Sequence, residues 1–456
     1  MTQSSLAADQ ESKRYPLSFT QEWFCSLDQG DAGGAFGPRF ILMCPVRITG
    51  SVDLAVLQGA LDDVVARHEL LRTLVIRDAD PPYQLVHPPC AVPLEVRDLP
   101  PVTGTSRDMV AQELIVEAEA ATLSARHVPM FHARLCRFDD RDSVLFLTVH
   151  HSVSDTWSVQ VILRDLGAFY AARITGTPAK LPAVRQYREF SEWQKVSATS
   201  PAEDGAPRYW QDRLHGALEF TMPTDRVHPE SYSRPYSLHT YSIEADVMAA
   251  VSALATAARS STFTVMLSAC YVLAYQVTGS ADLAIRAFTA GRNELEFQDT
   301  MGLFINVLPF RTNLDGCTSF RDILARAKET CIDAIAHELP VNVIEQEFPD
   351  FVKSREDPRM AQFIVTDFQS QFGDLVLPIA EGGREIRERL LQEPEHHDIP
   401  TGMVWGLDVI PSGELLGSVL FNQDEFDEST VIGLTTGFRR IVAAAVAAPD
   451  RDWKTI

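Results

Sequence analysis

The chain has 456 residues, 45% of them hydrophobic, which is enough apolar material for two packed lobes of about 200 residues each. Its formal charge of −22 excludes nucleic acid and anionic membrane as partners, since no basic stripe offsets the repulsion from phosphates. The polar first 16 residues, the lack of any long apolar run and seven scattered cysteines give the expectation of a cytoplasmic protein with reduced, buried thiols, neither secreted nor membrane-spanning.

In chain order, Phe40-Ile41-Leu42-Met43 predicts a strand, residues 54–67 a helix, residues 110–125 a second helix and Val144 to Val149 a buried strand. Helical spacing resumes at Val159, Ile162, Leu163, Leu166, Phe169 and Tyr170, with Asp155 or Ser158 as its cap. The Pro-bearing connection Thr177-Pro178-Ala179-Lys180-Leu181-Pro182 predicts the domain break, dividing residues 1–180 from 181–456, and residues 197–205 read as an exposed loop. Further helices are expected over 247–258, 263–276, 320–337 and 429–448, with strands at Phe363-Ile364-Val365 and over 416–420. The alternation predicts α/β layers, and no tandem repeat is visible.

The chemistry concentrates where the buried strand ends, in His150-His151-Ser152-Val153-Ser154-Asp155-Thr156. A strand that runs into two histidines, then a carboxylate and a helix, places an imidazole at the carboxyl end of a sheet, where α/β folds keep chemistry. A neutral imidazole there can take a proton from a hydroxyl or amine attacking a carbonyl, which is acyl transfer. Alternation along the strand lets one ring enter a cavity while the other turns inward and is held by hydrogen bonds. Asp155 either orients that ring or closes a buried ion pair with an arginine. The ion pair is favoured, because three residues separate Asp155 from the nearest histidine. A second His-His pair, Glu395-His396-His397-Asp398, sits among charge and proline and reads as a solvated loop. Neither pair has a third ligand at zinc spacing, so no metal is expected. Ser152 and Ser154 lack a Gly-x-Ser-x-Gly elbow and read as loop hydroxyls.

The heptad resembles the His-His-x-x-x-Asp-Gly signature of non-ribosomal peptide synthetase condensation domains and their chloramphenicol-acetyltransferase-like relatives. Further matches follow in order. Residues 18–24, SFTQEWF, resemble the first motif and residues 67–73, RHELLRT, the second. Then come residues 187–194, YREFSEWQ, followed by Tyr209-Trp210, residues 301–311, MGLFINVLPFR, residues 337–340, HELP, and residues 421–427, FNQDEFD.

The resemblance implies an α/β fold of two chloramphenicol-acetyltransferase-like lobes forming a V-shaped pseudo-dimer with a tunnel between them. It implies that His151 is the catalytic imidazole, that His150 is structural, and that Asp155 pairs with an arginine of the second motif, Arg72 first and Arg67 second. Gly302 and Asn306 would line or shape the solvent channel from the second lobe. No cofactor is expected to be bound; the phosphopantetheine arm of an acyl- or aminoacyl-S-carrier protein would enter as substrate. The partners implied are that carrier and a small-molecule alcohol or amine acceptor, with no nucleic acid and no membrane.

Thr156 stands where the family has glycine, and Trp157 follows. Either the turn is helical at Thr156 or the channel mouth differs, since threonine is poor at positive φ. Heterocyclising relatives carry aspartates in place of the histidines and are excluded; epimerising relatives use a glutamate motif not found in this chain. The motifs span one condensation unit with no carrier or adenylation motif. The overall form looks like the free-standing condensation enzymes, including those of enediyne antibiotic pathways, that esterify a diffusible alcohol with a carrier-bound aminoacyl group. Two rivals stand beside this: a lipid-type acyltransferase of the same superfamily, and a non-catalytic recruitment module.

Overall fold

The computed structural model describes residues 13–102, 104–199, 205–229, 236–368, 375–387, 402–410 and 412–456. The Glu395-His396-His397-Asp398 stretch lies outside the described residues. The chain forms two compact units. The first comprises residues 1–200, 292–304 and 374–387, and the second residues 201–291, 305–373 and 388–456.

The division differs from the expected break after residue 180. Helix Tyr187–Thr199 stays with the first unit because its inward polar groups are bonded there. The Tyr187 hydroxyl lies 2.7 Å from Ser18 Oγ, and Gln84 Nε2 donates to Ser191 Oγ at 2.9 Å. Just before that helix, Gln186 Nε2 donates to the Arg67 carbonyl at 3.0 Å. The proline-bearing connection is therefore a surface link inside one unit.

The first unit is built on a six-stranded sheet in the order Val376–Leu377, Gly382–Glu385, Ile41–Thr49, Asp142–His150, Phe131–Asp139, Leu94–Asp98. Asp142–His150 lies between two antiparallel neighbours, with His150 opposite Ile41 and Val149 opposite Phe131. Val144, Leu145, Phe146, Leu147 and Val149 are all buried. The strand is covered on both faces, which is why it reads as a continuous apolar run instead of an alternating one. On one face, helix Arg107–Glu119 sets Ala111, Leu114, Ile115 and Ala118 against Cys136, Val144 and Phe146. That helix stops short of the expected residue 125. Past Glu119 the backbone bonds elsewhere, and the Leu123 N–H donates to the Pro38 carbonyl at 2.7 Å. Helices Leu54–Arg67 and Thr156–Thr175 pack on each other and are tied by the Tyr170 hydroxyl, which accepts from the Asp53 N–H at 3.0 Å. A three-stranded sheet, Lys13–Pro16, Tyr83–Val86 and Thr73–Ile76, completes the unit.

The second unit has a six-stranded path, Asn306–Asn313, Asp282–Thr289, Met360–Phe368, Met403–Val409, Leu415–Asn422, Tyr236–Ile243, with Thr221–Pro223 pairing beside Met360–Phe368. Its core joins Trp405, Phe363, Phe310 and Tyr271 with helices Ala245–Ala257, Thr262–Thr278, Phe320–Ala336 and Glu428–Ala447. The last helix is long and apolar enough to cross a membrane by length and composition. Its Val431, Phe438, Ile441, Val442 and Ala445 are buried in that core, so the helix lays one face on the second unit. Five of the cysteines are buried, Cys25 and Cys90 are half-buried, and all seven are free thiols.

Candidate active site

The central strand of the first unit delivers the His-His corner. His150 is the last residue of Asp142–His150, a single turn of 3-10 helix covers His151–Val153, and Asp155 caps helix Thr156–Thr175. Of the two expected caps it is Asp155 that acts, with Oδ1 accepting from the Ser158 N–H at 2.7 Å.

The two imidazoles have opposite environments. His150 has no exposed surface. Its Nδ1 accepts from the Ser152 N–H at 3.1 Å, so Nε2 carries the proton and donates to the Gly37 carbonyl at 3.1 Å. Burial pulls its pKa down to about 4, against the Gly37 carbonyl, which favours the protonated ring. The unfolded chain therefore binds this proton more readily than the folded one. The stabilisation is complete above the ordinary value of 6.5 and drains away as pH falls toward about 4. Lowering the pH through that window should cost up to about 3 kcal/mol. Thermal melts at neutral and mildly acid pH test this: His150→Gln should flatten the slope between them, and an unchanged slope would assign the loss to other groups.

His151 is half-buried and reaches outward. Its Nδ1 lies 2.8 Å from the Ser154 carbonyl, which can only accept, so the proton sits on Nδ1 and the neutral ring carries its lone pair on Nε2. The ring stacks on Phe40 at 4.6 Å with 9° between planes, and Phe24 meets it edge-on at 6.0 Å. The Ser154 carbonyl thus fixes the tautomer, and with the two aromatic rings it fixes the orientation.

Asp155 does form a buried ion pair, and its partner is Arg292. Arg292 Nη2 lies 3.1 Å from Oδ1 and 3.2 Å from Oδ2, and both side chains are almost wholly buried. Oδ2 also accepts from the Phe304 N–H at 3.0 Å. Arg292 Nη1 donates to the carbonyls of Phe297 and Thr300, and its guanidinium lies 3.9 Å over the Phe304 ring. Burial draws the Arg292 pKa below its usual value, with the Asp155 charge opposing.

The expected pairing with Arg72 or Arg67 is overturned. Arg72 spends its donors on the carbonyls of Val65 and His87. Arg67 Nε bonds Asp165 Oδ2 at 2.7 Å, where His68 Nε2 joins it at 2.9 Å. The second motif therefore serves the carboxylate one helical segment further on. Sequence reasoning missed Arg292 because residues 290–293, AGRN, carry no periodicity, and a second arginine, Arg286, stands six residues before it in the strand pattern Leu283 to Phe288.

Thr156 is the exposed first residue of its helix and has no positive φ. The turn is helical here, so the backbone does not call for the family's glycine. Trp157 donates from Nε1 to the Gln298 carbonyl at 2.8 Å, which ties the helix start to the Arg292 segment.

Gly302 and Asn306 were expected together on the second lobe, but they fall in different units. Gly302 belongs to the first, where its N–H donates to Ser158 Oγ at 2.8 Å. A Cβ at this position would overlap the rings of Tyr187 and Phe304. Gly302→Ala should therefore cost about 1–3 kcal/mol through overpacking, read as a lower denaturation midpoint; an unshifted midpoint would mean that the two rings yield freely. Asn306 lies in the second unit with its amide fully used: Nδ2 donates to Glu338 Oε1 and the Leu339 carbonyl at 2.8 Å each, and Oδ1 accepts from Val341 N at 2.9 Å. It fastens the start of its strand to the His337-Glu338-Leu339-Pro340 turn. Among the described residues no group of three or more His, Cys, Asp or Glu side chains is placed to hold a metal.

Three comparisons bear on this geometry. The condensation-domain family model matches residues 11–456. The crystal structure of SgcC5 from Streptomyces globisporus, in complex with (R)-(−)-1-(2-naphthyl)-1,2-ethanediol and sucrose, is 34% identical. It has a TM-score of 0.88, and the match covers 96% of this chain and 100% of that one. Among curated proteins, chondramide synthase cmdD of Chondromyces crocatus is 30% identical over 95% of this chain and 11% of its own length. Phosphinothricin tripeptide synthetase PhsC of Streptomyces viridochromogenes is 31% identical over 71% of this chain and 30% of its own. The chain thus spans a minor part of the curated synthetases it matches.

Proposed function

The chain belongs to the condensation-domain family, whose members are acyl-transferring enzymes that form amide or ester bonds, and from that premise we propose that it joins a carrier-bound aminoacyl or acyl group to a diffusible alcohol. The donor is a thioester on the phosphopantetheine arm of a carrier protein, and the acceptor is a neutral small molecule bearing a hydroxyl. The observation that carries the reading is the fixed tautomer of His151, with Nδ1–H on the Ser154 carbonyl and the basic lone pair on Nε2.

In this reaction Nε2 takes the hydroxyl proton as the acceptor oxygen attacks the thioester carbonyl. The C–S bond breaks, the thiolate leaves, and the imidazolium returns the proton to it. No acyl-enzyme is required, because holding both reactants in line supplies much of the acceleration. Likeness to SgcC5, which was crystallised with an aryl-1,2-ethanediol, supports an alcohol over an amine.

The test is incubation with an aminoacyl-S-carrier protein and either a 1-aryl-1,2-ethanediol or the matching amino alcohol, with products read by mass spectrometry. Ester from the diol is expected. Amide alone would overturn the ester reading, transfer only from fatty acyl donors would favour a lipid-type acyltransferase, and no product across donors and acceptors would favour a recruitment role.

A further inference from the structure

We propose that a cavity on one face of the first unit's sheet seats the non-reacting body of the acceptor, an uncharged aryl group bearing a hydroxyl or similar heteroatom. The proposal rests on the acyl-transfer reading above and adds where, and by which residues, the acceptor is recognised.

The cavity has a volume of about 390 Å³, within the range of small-molecule sites and at its lower end. Its apolar part is made by Phe146, Ala118 and Ala121. Its polar part is a cross-strand pair, His132 and Thr148, directly opposite each other on neighbouring antiparallel strands. Residues opposite in such a ladder project to the same side of the sheet. Neither a ring nitrogen of His132 nor the Thr148 hydroxyl makes a hydrogen bond among the described residues. A donor–acceptor pair set beside an apolar wall is a built recognition element: flat carbon on one side, one or two hydrogen bonds on the other.

Charge selects the class of ligand. Arg134, at the rim, is already neutralised by Glu95 at 2.8 Å and Glu117 at 3.3 Å, which leaves no cation for a carboxylate or phosphate. Burial also pulls the His132 pKa down, so its ring is neutral at pH 7 and suits a hydroxyl.

Position ties the cavity to the chemistry. Phe146, Thr148 and His150 share one face of their strand by its two-residue pleat, and Thr148 lies about 7 Å along the strand from His150. The cavity wall at residues 120–122 runs on to Leu123, whose N–H bonds the Pro38 carbonyl. Two residues further along that loop, Phe40 stacks on His151. A ligand body in the cavity therefore lies beside the strand that ends in the two histidines, and the wall that holds it is joined through Leu123 to the loop that bears Phe40.

The test uses the full-length protein, Thr148→Val, His132→Ala and the double variant, with a 1-aryl-1,2-ethanediol as probe. Diol binding without donor is measured by calorimetry, and KM is measured separately for diol and carrier thioester. The double variant should bind diol about tenfold more weakly, the loss of one to two ordinary hydrogen bonds, with the thioester KM unchanged. Thr148→Val, nearly isosteric, guards against a folding artefact from His132→Ala. Equal diol affinity in all four proteins, or no diol binding by the native one, would overturn the proposal. Diol binding that the variants lose, in a protein that forms no ester, would keep the cavity and remove the ester reading.

Discussion

Replacing His151 by alanine should lower turnover by more than about a hundredfold, the ordinary size of a proton-transfer contribution, while leaving the fold intact. The ring is half-buried at a strand end, where Nδ1 bonds the Ser154 carbonyl and Phe40 and Phe24 pack against the ring. Its removal should therefore cost only about 1 kcal/mol of stability. The two effects separate chemistry from folding. KM for both substrates should change little, because the ring's contribution belongs to the transition state. His151→Gln is the informative companion: it can keep a hydrogen bond near the Ser154 carbonyl but has no lone pair basic enough to accept the proton, so it should be nearly as slow as alanine. Steady-state kinetics on the native protein and both variants decide the matter. Native-like rates in His151→Gln would assign the residue to positioning, and native-like rates in both would remove it from the reaction.

The second large effect is expected at Arg292, and it is of a different kind. Removing one partner of a buried ion pair strands the other charge, which costs about 3–5 kcal/mol. Here the stranded group is Asp155, which is also bonded by the Ser158 and Phe304 N–H groups. Arg292→Ala additionally strips donors from the Phe297 and Thr300 carbonyls. The melting temperature should fall by roughly 10 °C on the usual scaling for a unit of this size, and activity should fall with it. Arg292→Lys keeps the charge but not the planar fork that reaches two carbonyls and a carboxylate at once, so it should recover only part of the loss. Differential scanning calorimetry on Arg292→Ala, Asp155→Ala and the double variant measures the coupling. A double variant no worse than either single one is the signature of a shared pair. Simple additivity would mean that the two residues act independently.

Much of this site was legible from letters alone because local physics writes it locally. The strand before His150 is buried on both faces and so reads as an unbroken apolar run, and helix Leu54–Arg67 falls within the span its apolar periodicity marks. The capping aspartate stands one residue before its helix, where a cap must be. What escaped were choices settled by tertiary partners. Arg72 and Arg292 are equally cationic in sequence; only the fold reveals that carbonyls of the neighbourhood occupy one and that Asp155 meets the other. Residues 120–125 keep helical spacing, yet the Pro38 carbonyl claims the Leu123 N–H and the helix ends. Asn306 looked like a polar group on a channel because its amide partners lie more than 30 positions away.

The distance along the chain between Asp155 and Arg292, 137 residues, sets an order of events during synthesis. When the ribosome has released the first unit's leading 200 residues, the histidine strand can pair, but the carboxylate beside it has no counter-charge. At about 5–20 residues per second the arginine follows on the order of ten seconds later, and the sheet's strands Val376–Leu377 and Gly382–Glu385 later still. The nascent protein therefore passes through an interval in which its histidine corner is assembled on one side only, with a carboxylate that must remain hydrated until its partner arrives. The Asp155–Arg292 pair is among the last features of the first unit to set, so a chain cut short before residue 292 would carry both histidines and still lack the brace that holds their loop.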